Sequence, residues 1–185
     1  SNTMTRSLLS LIQPYFIKKR TSMSSFQIIV GSMLGGTEYV AEACEETLTK
    51  LDHHVDMHLK PDLHNIISNT FPTNNEQNNS SNLTKNPIWI VCTSTHGAGD
   101  YPDNIKQFVS DLSNCDQDLS TVSFLTIGIG DSSYDTFCKA AKDISKLLIS
   151  KGCNKLTSIK TFDMSEDIDP EDLAQQWISA NIDLL

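Results

Sequence analysis

A chain of 185 residues is long enough for one domain with a substantial core. The formal net charge is −9, and residues 1–22 hold four bases (Arg6, Lys18, Lys19, Arg20) and no acid, so the remainder carries −13. That acidity argues against nucleic acid and anionic membrane surfaces and suits a basic protein partner; no apolar run approaches the ~20 residues that a membrane helix needs.

Ser1-Asn2-Thr3 ahead of Met4 reads as a cloning remnant. The next stretch is apolar, then basic, which is not the charge order of a signal peptide, and Met23 leads straight into the first strand. Residues 1–25 are therefore expected to be the remnant plus a disordered extension, with the domain spanning 26–185.

Phe26 to Val30 is an apolar strand that breaks into Gly31-Ser32-Met33-Leu34-Gly35-Gly36. A helix over 37–51 follows, with Val40, Ala43, Cys44 and Leu48 on one face. Strand, tight turn and helix N-terminus together make an anion pocket of unpaired amides and positive dipole end. The loop has no Lys or Arg, so it lacks the Gly-Lys-Ser/Thr of a triphosphatase, and it lacks the Gly-x-Gly-x-x-Gly of a dinucleotide fold. A lone phosphate held by amides and the Ser32 and Thr37 hydroxyls remains; the competing reading is a tight turn that binds nothing.

Val55, Met57 and Leu59 alternate with His54, Asp56 and His58, the pattern of a half-buried strand. The histidines read as the polar face of an edge strand in preference to a metal site, since no fixed ligand spacing supports zinc. Residues 65–86 contain eight asparagines and no periodicity, and are expected to form a disordered insert. Ile88 to Thr93 is a continuous apolar strand running into Ser94-Thr95-His96-Gly97-Ala98-Gly99-Asp100-Tyr101-Pro102-Asp103-Asn104. Asp103 or a neighbour is expected to cap a helix through Phe108 and Leu112. Val122 to Gly130 is another buried strand, opening into Asp131-Ser132-Ser133-Tyr134-Asp135-Thr136-Phe137 and a helix to about Lys151. Leu156 to Phe162 is a fifth strand, and Pro170 opens a last helix. Five scattered cysteines without a Cys-x-x-Cys suit a reducing cytoplasm.

Strands alternating with helices predict an α/β fold with a doubly wound parallel sheet. The three loops rich in Gly, Ser and Thr follow strands one, three and four, so all lie at the carboxyl end, where such sheets bind ligands. The second and third loops offer small residues and the flat side chains His96, Tyr101 and Tyr134, which suit a heteroaromatic ring. Ser94, His96 and Asp100 show no arrangement of a hydrolytic triad.

The segments Gly31–Ala41, Ser94–Asn104 and Gly128–Cys138 resemble the three FMN loops of flavodoxins, above all their short-chain MioC-type members. The resemblance implies a five-stranded sheet of order 2-1-3-4-5 with helices on both faces, and FMN as cofactor. It implies that Ser32, Met33, Leu34, Gly35, Gly36 and Thr37 cradle the phosphate. Thr95, His96 and Gly97 would border the ring on one side and Tyr134 would stack on the other; Asp131 would lie near the pyrimidine edge or ribityl chain, Phe137 would close the pocket, and Ser94 and Gly130 are also expected to bind the cofactor. Two residues depart from the common pattern: Leu34 stands where many flavodoxins have Thr, and His96 where an aromatic or apolar residue is frequent. The peptide at Gly97 is expected to reorient when flavin N5 gains a proton.

The implied activity is electron transfer by a monomeric carrier rather than a stand-alone enzyme. Its donor would be a basic-faced NAD(P)H-dependent flavodoxin/ferredoxin reductase and its acceptors redox enzymes such as biotin synthase. The alternative is a flavin enzyme acting directly on NAD(P)H and a quinone-like acceptor; no basic residue is evident near the site to hold the nucleotide phosphates.

Overall fold

The computed structural model describes residues 24–73 and 87–185, so the disorder expected for 1–23 and 74–86 lies outside the described residues. In chain order the elements are β1 (Ser25–Gly31), α1 (Gly36–Lys50), β2 (His54–His58), α2 (Leu63–Thr70), β3 (Ile88–Ser94), α3 (Lys106–Ser113), β4 (Ser123–Gly130), α4 (Lys139–Ser150), β5 (Asn154–Lys155), β6 (Lys160–Asp163) and α5 (Pro170–Ala180). Every strand pairing is parallel, and the order is β2-β1-β3-β4 with β5 and β6 both against β4. The expected 2-1-3-4-5 sheet is the observed one.

The central strands are apolar throughout because both faces are covered. Phe26, Ile28, Val30, Ile90, Cys92 and Ile127 pack on α1 and α5. The alternate positions Ile29, Trp89, Val91 and Phe124 pack on α2, α3 and α4. Period-two alternation thus divides one sheet between two cores.

Four expectations are corrected. The domain begins before residue 26: Ser25 is already in β1, and buried Ser24 donates its amide to His53 Nδ1 at 3.2 Å. The insert begins later than residue 65, because α2 occupies 63–70. Asp62 caps it by accepting from the amides of His64 and Asn65, and Leu63, Ile66 and Thr70 are buried beneath it. Thr70 Oγ1 accepts from Trp89 Nε1 at 2.9 Å, which satisfies the indole inside the core. The fifth strand is two short pieces: Asn154–Lys155 pairs with Ser123–Phe124, the chain lifts off, and Lys160–Asp163 returns against Ile127–Gly130. Finally, Asp103 does not cap α3. It starts a 3₁₀ turn over Asp103–Ile105 and pairs with Lys106 at 2.9 Å.

The histidine-bearing edge is a closed polar network. Gln27, buried in β1, donates to Asp56 Oδ2 at 2.8 Å; its carbonyl meets His58 Nε2 at 2.7 Å and accepts from Asn69 Nδ2 at 3.1 Å. Burial holds the His58 imidazole below its ordinary pKa, favouring the neutral ring.

Candidate functional site: three loops at the carboxyl edge of the sheet

Parallel pairing sets the ends of β1, β3 and β4 level, with Gly31 opposite Thr93 and Ser94 opposite Ile129. The loops that leave these ends meet along one edge.

The first loop, residues 32–36, turns back on itself. Ser32 Oγ accepts from the Gly35 amide at 3.1 Å, and Gly35 takes the left-handed conformation, φ 89°, at the helix N-cap. The Ser32 amide is spent on Asn104 Oδ1 at 2.9 Å. Among the described residues, the amides of Met33, Leu34, Gly36 and Thr37 donate to no protein acceptor. Thr37 is only 3% exposed, yet its hydroxyl also has no protein partner. A hollow of about 270 Å³ opens there, lined by Ser32, Met33, Gly36, Thr37, Ser94 and Met164 among others. Thr37 lines the hollow that opens beside it, so its hydroxyl is available to a ligand there.

The second loop is a small hairpin. His96 and Asp100 exchange backbone hydrogen bonds at 2.8 and 2.7 Å, so Gly97, Ala98 and Gly99 form its tip. Gly97 has φ 51° and open space where a Cβ would stand. The Thr95 hydroxyl accepts from the Ala140 amide at 3.1 Å, in the first turn of α4.

The third loop winds through turns before α4. Asp131 Oδ1 accepts from the Ser133 amide and hydroxyl at 2.9 and 2.6 Å. Phe137 and Cys138 lie over Gly128 and Gly130, where added methyl groups would collide with them at 3.0–3.2 Å. A second hollow of about 330 Å³ separates loops two and three. Thr95 and Gly97 line one side; Gly130, Asp131, Tyr134 and Phe137 are among those lining the other. Tyr134 is 65% exposed and free to cover a ligand.

This edge can therefore take an anion at one end and a flat ring at the other. The sequence model of the flavodoxin family matches residues 28–177. The chain belongs to the flavodoxin family. It is 38% identical over 151 residues to a MioC homologue of Pasteurella multocida, covering 82% of this chain and 91% of that one. It is 36% identical over 164 residues to MioC of Escherichia coli K12, covering 88% and 99%. A mutant of flavodoxin from Pseudomonas aeruginosa shares the fold at TM-score 0.73 and 23% identity, covering 87% of this chain and 98% of that one. This is a MioC-type, flavodoxin-like electron-transfer protein, and its cofactor is FMN.

The flavodoxin frame brings most of the expected residues to the two hollows, with exceptions; Ser94 lines the first hollow and not the ring hollow. His96 lines neither; it is exposed on the hairpin, in the field of Asp103. The Thr95 hydroxyl accepts from α4, and the residue lines the ring hollow. Leu34 is 98% exposed and lines the rim of the first hollow. Basic residues do stand near the site. The Lys139 side chain packs where a Gly99 Cβ would be and pairs with Asp143, and Lys142 lies 5.9 Å from the Phe137 ring centre and donates to Phe137 O.

Sequence reasoning missed Asp163. Its Oδ1 accepts from the Ser132 amide at 3.1 Å and from the Ser165 amide and hydroxyl at 3.1 and 2.7 Å. These bonds, led by Ser132, hold the carboxyl well below the usual carboxylate range. A depressed carboxylate contributes stability that is present above its unfolded pKa of about 4 and lost as pH falls below it. Loop three should therefore keep its bonds near pH 4 and loosen only at lower pH, as the carboxyl itself takes up a proton, which amide hydrogen exchange at Ser132 and Ser165 would follow. In Asp163→Asn that acid step should vanish, because the amide oxygen still accepts and no longer titrates.

Proposed function

We propose that the two hollows are the phosphate and ring ends of the FMN site. Ser32 to Thr37, with Ser94 beside them, would hold the phosphate; Thr95 and Gly97 would line one side of the ring, and Tyr134 the other. Gly130, Asp131 and Phe137 would form the floor and far wall, with His96 at the rim. The observation that carries this reading is the set of free donors at the head of α1. Four amides and a nearly buried Thr37 hydroxyl point to an acceptor that the protein does not supply. A phosphate satisfies all of them, and the helix dipole adds to the attraction without any Lys or Arg.

Bound FMN supplies one- and two-electron transfer. The chain's own residues bind, orient and cover it. Glycines 130 and 128 let Phe137 and Cys138 sit against the floor, and the hairpin tip at Gly97 supplies a backbone free of side-chain bulk. The acidic surface, with a net charge of −9, disfavours added negative charge at the ring and so lowers the potential for full reduction.

The same acidity supports docking of a basic-faced NAD(P)H-dependent reductase as donor and of acceptor enzymes, biotin synthase among them, by a monomer. Five unpaired thiols support a cytoplasmic setting. No described helix is long and apolar enough to cross a membrane. Titration of apoprotein with FMN, FAD and riboflavin tests the site. FMN should bind most tightly, and riboflavin binding as tightly as FMN would overturn the phosphate assignment.

A further inference from the structure

We propose that Asn104 is the positioning residue that preforms the phosphate loop, an inference resting on the assignment of loop one to the FMN phosphate. Asn104 sits in the 3₁₀ turn over Asp103–Ile105, on the far side of loop two and 72 residues from Ser32. Its side-chain amide is fully used. Oδ1 accepts from the Ser32 amide at 2.9 Å, and Nδ2 donates to Val30 O at 2.7 Å and Leu59 O at 3.0 Å. One planar group thus ties together the end of β1, the first residue of the phosphate loop and the chain leaving β2.

The chemistry of the three partners fixes the residue type. Ser32 needs an acceptor, and the two carbonyls need donors. Aspartate would set an oxygen against two carbonyl oxygens, and alanine would leave all three groups without a partner. A second link runs alongside, from the Asp103 amide to Met33 Sδ at 3.3 Å.

The functional consequence follows from which amide is taken. Asn104 consumes the Ser32 N–H, the one amide of the loop that precedes the turn, and leaves those of Met33, Leu34, Gly36 and Thr37 for a ligand. Between Gly31 and α1 lie two exposed side chains and a glycine with φ 89°. Such a segment is loose by itself, and ordering it on binding would cost about 1 kcal/mol per residue. Tethering Ser32 moves much of that cost into folding, so the free protein already presents its donors together.

The test compares wild type with Asn104→Ala in flavin-free form. By fluorescence titration, the FMN dissociation constant should rise about tenfold while that of riboflavin changes less than about twofold, since only the phosphate end depends on the tether. Equal losses for both flavins, or none for either, would overturn the proposal. Amide hydrogen exchange gives a readout that does not depend on the variant folding. In flavin-free wild type the Ser32 amide should be protected while those of Met33 and Leu34 exchange rapidly; equal exchange at all three sinks the idea. If wild type shows no preference for FMN over riboflavin, the phosphate assignment itself fails, whereas the Ser32 protection still reports on the tether.

Discussion

Gly31→Ala should cost the flavin-free protein about 3 kcal/mol, the upper part of the usual range for an overpacked core. A Cβ at residue 31 would stand 2.2 Å from Thr93 Oγ1, 3.0 Å from Thr93 Cβ and 3.2 Å from Ile105 Cγ2. Neither neighbour is a flexible chain end. Thr93 is fully buried and β-branched, so its side chain has little rotational freedom, and its hydroxyl donates to Ser94 O at 2.9 Å. Gly31 has no left-handed φ, so the cost is steric and not conformational. Denaturant unfolding of wild type, Gly31→Ala, Thr93→Ala and the double variant checks this. The penalty should shrink substantially when Thr93 is already alanine, because the closest contact is then gone. An equal penalty in both backgrounds would show that Thr93 is not what requires glycine. The effect reaches the site, because Gly31 and Thr93 pair across β1 and β3 at the root of loops one and two. Forcing those strands apart would separate the two loops where they begin.

The reason that Gly31 could be singled out as a loop boundary, but not as a packing glycine, illustrates what sequence does and does not carry. Continuous apolar runs such as Ile88–Cys92 announce a sheet covered on both faces, and glycine-rich stretches behind three of them announce a crevice. These signals are local in the chain, and the observed order follows from them. The α2 helix was hidden because its Asn-rich composition masks the pattern of Leu63, Ile66 and Thr70, and the Asp62 cap precedes the biased stretch. The fifth strand read as continuous because nothing in residues 156–159 marks where the chain leaves the sheet. The remaining misses are partners far apart in sequence. Asp163 holds Ser132, 31 residues away; Asn104 holds Ser32; Thr95 caps α4 through Ala140, 45 residues away. No spacing rule finds such pairs, since each depends on how strand ends are set beside one another. His96 shows the converse. Its position in the motif suggested the ring hollow, yet the backbone bridge to Asp100 leaves it exposed at the rim.

Thr37→Val should weaken FMN by about 10- to 150-fold, the equivalent of one hydrogen bond to a charged group. Riboflavin, which has no phosphate, should bind as before. The variant is close in shape to threonine, so the helix start and the packing of the 3%-exposed residue are retained. The sign of the stability change separates a binding role from a structural one. In the flavin-free protein the Thr37 hydroxyl has no protein partner, although its residue is almost wholly buried. Replacing it by a methyl group removes a hydroxyl that bonds nothing in the fold and faces the hollow, so the apoprotein should be equally stable or slightly more stable. In saturating FMN the order reverses, because a ligand that binds only the folded state stabilises it in proportion to the logarithm of its affinity. Thermal melts of both proteins with and without FMN therefore give two curves that cross. If Thr37→Val lowered apoprotein stability, the hydroxyl would be serving the fold. If FMN and riboflavin weakened by the same factor, it would not be meeting the phosphate. Crossing melts with loss confined to FMN would mean that the first turn of α1 turns a hydroxyl toward the hollow for the ligand and not for the fold.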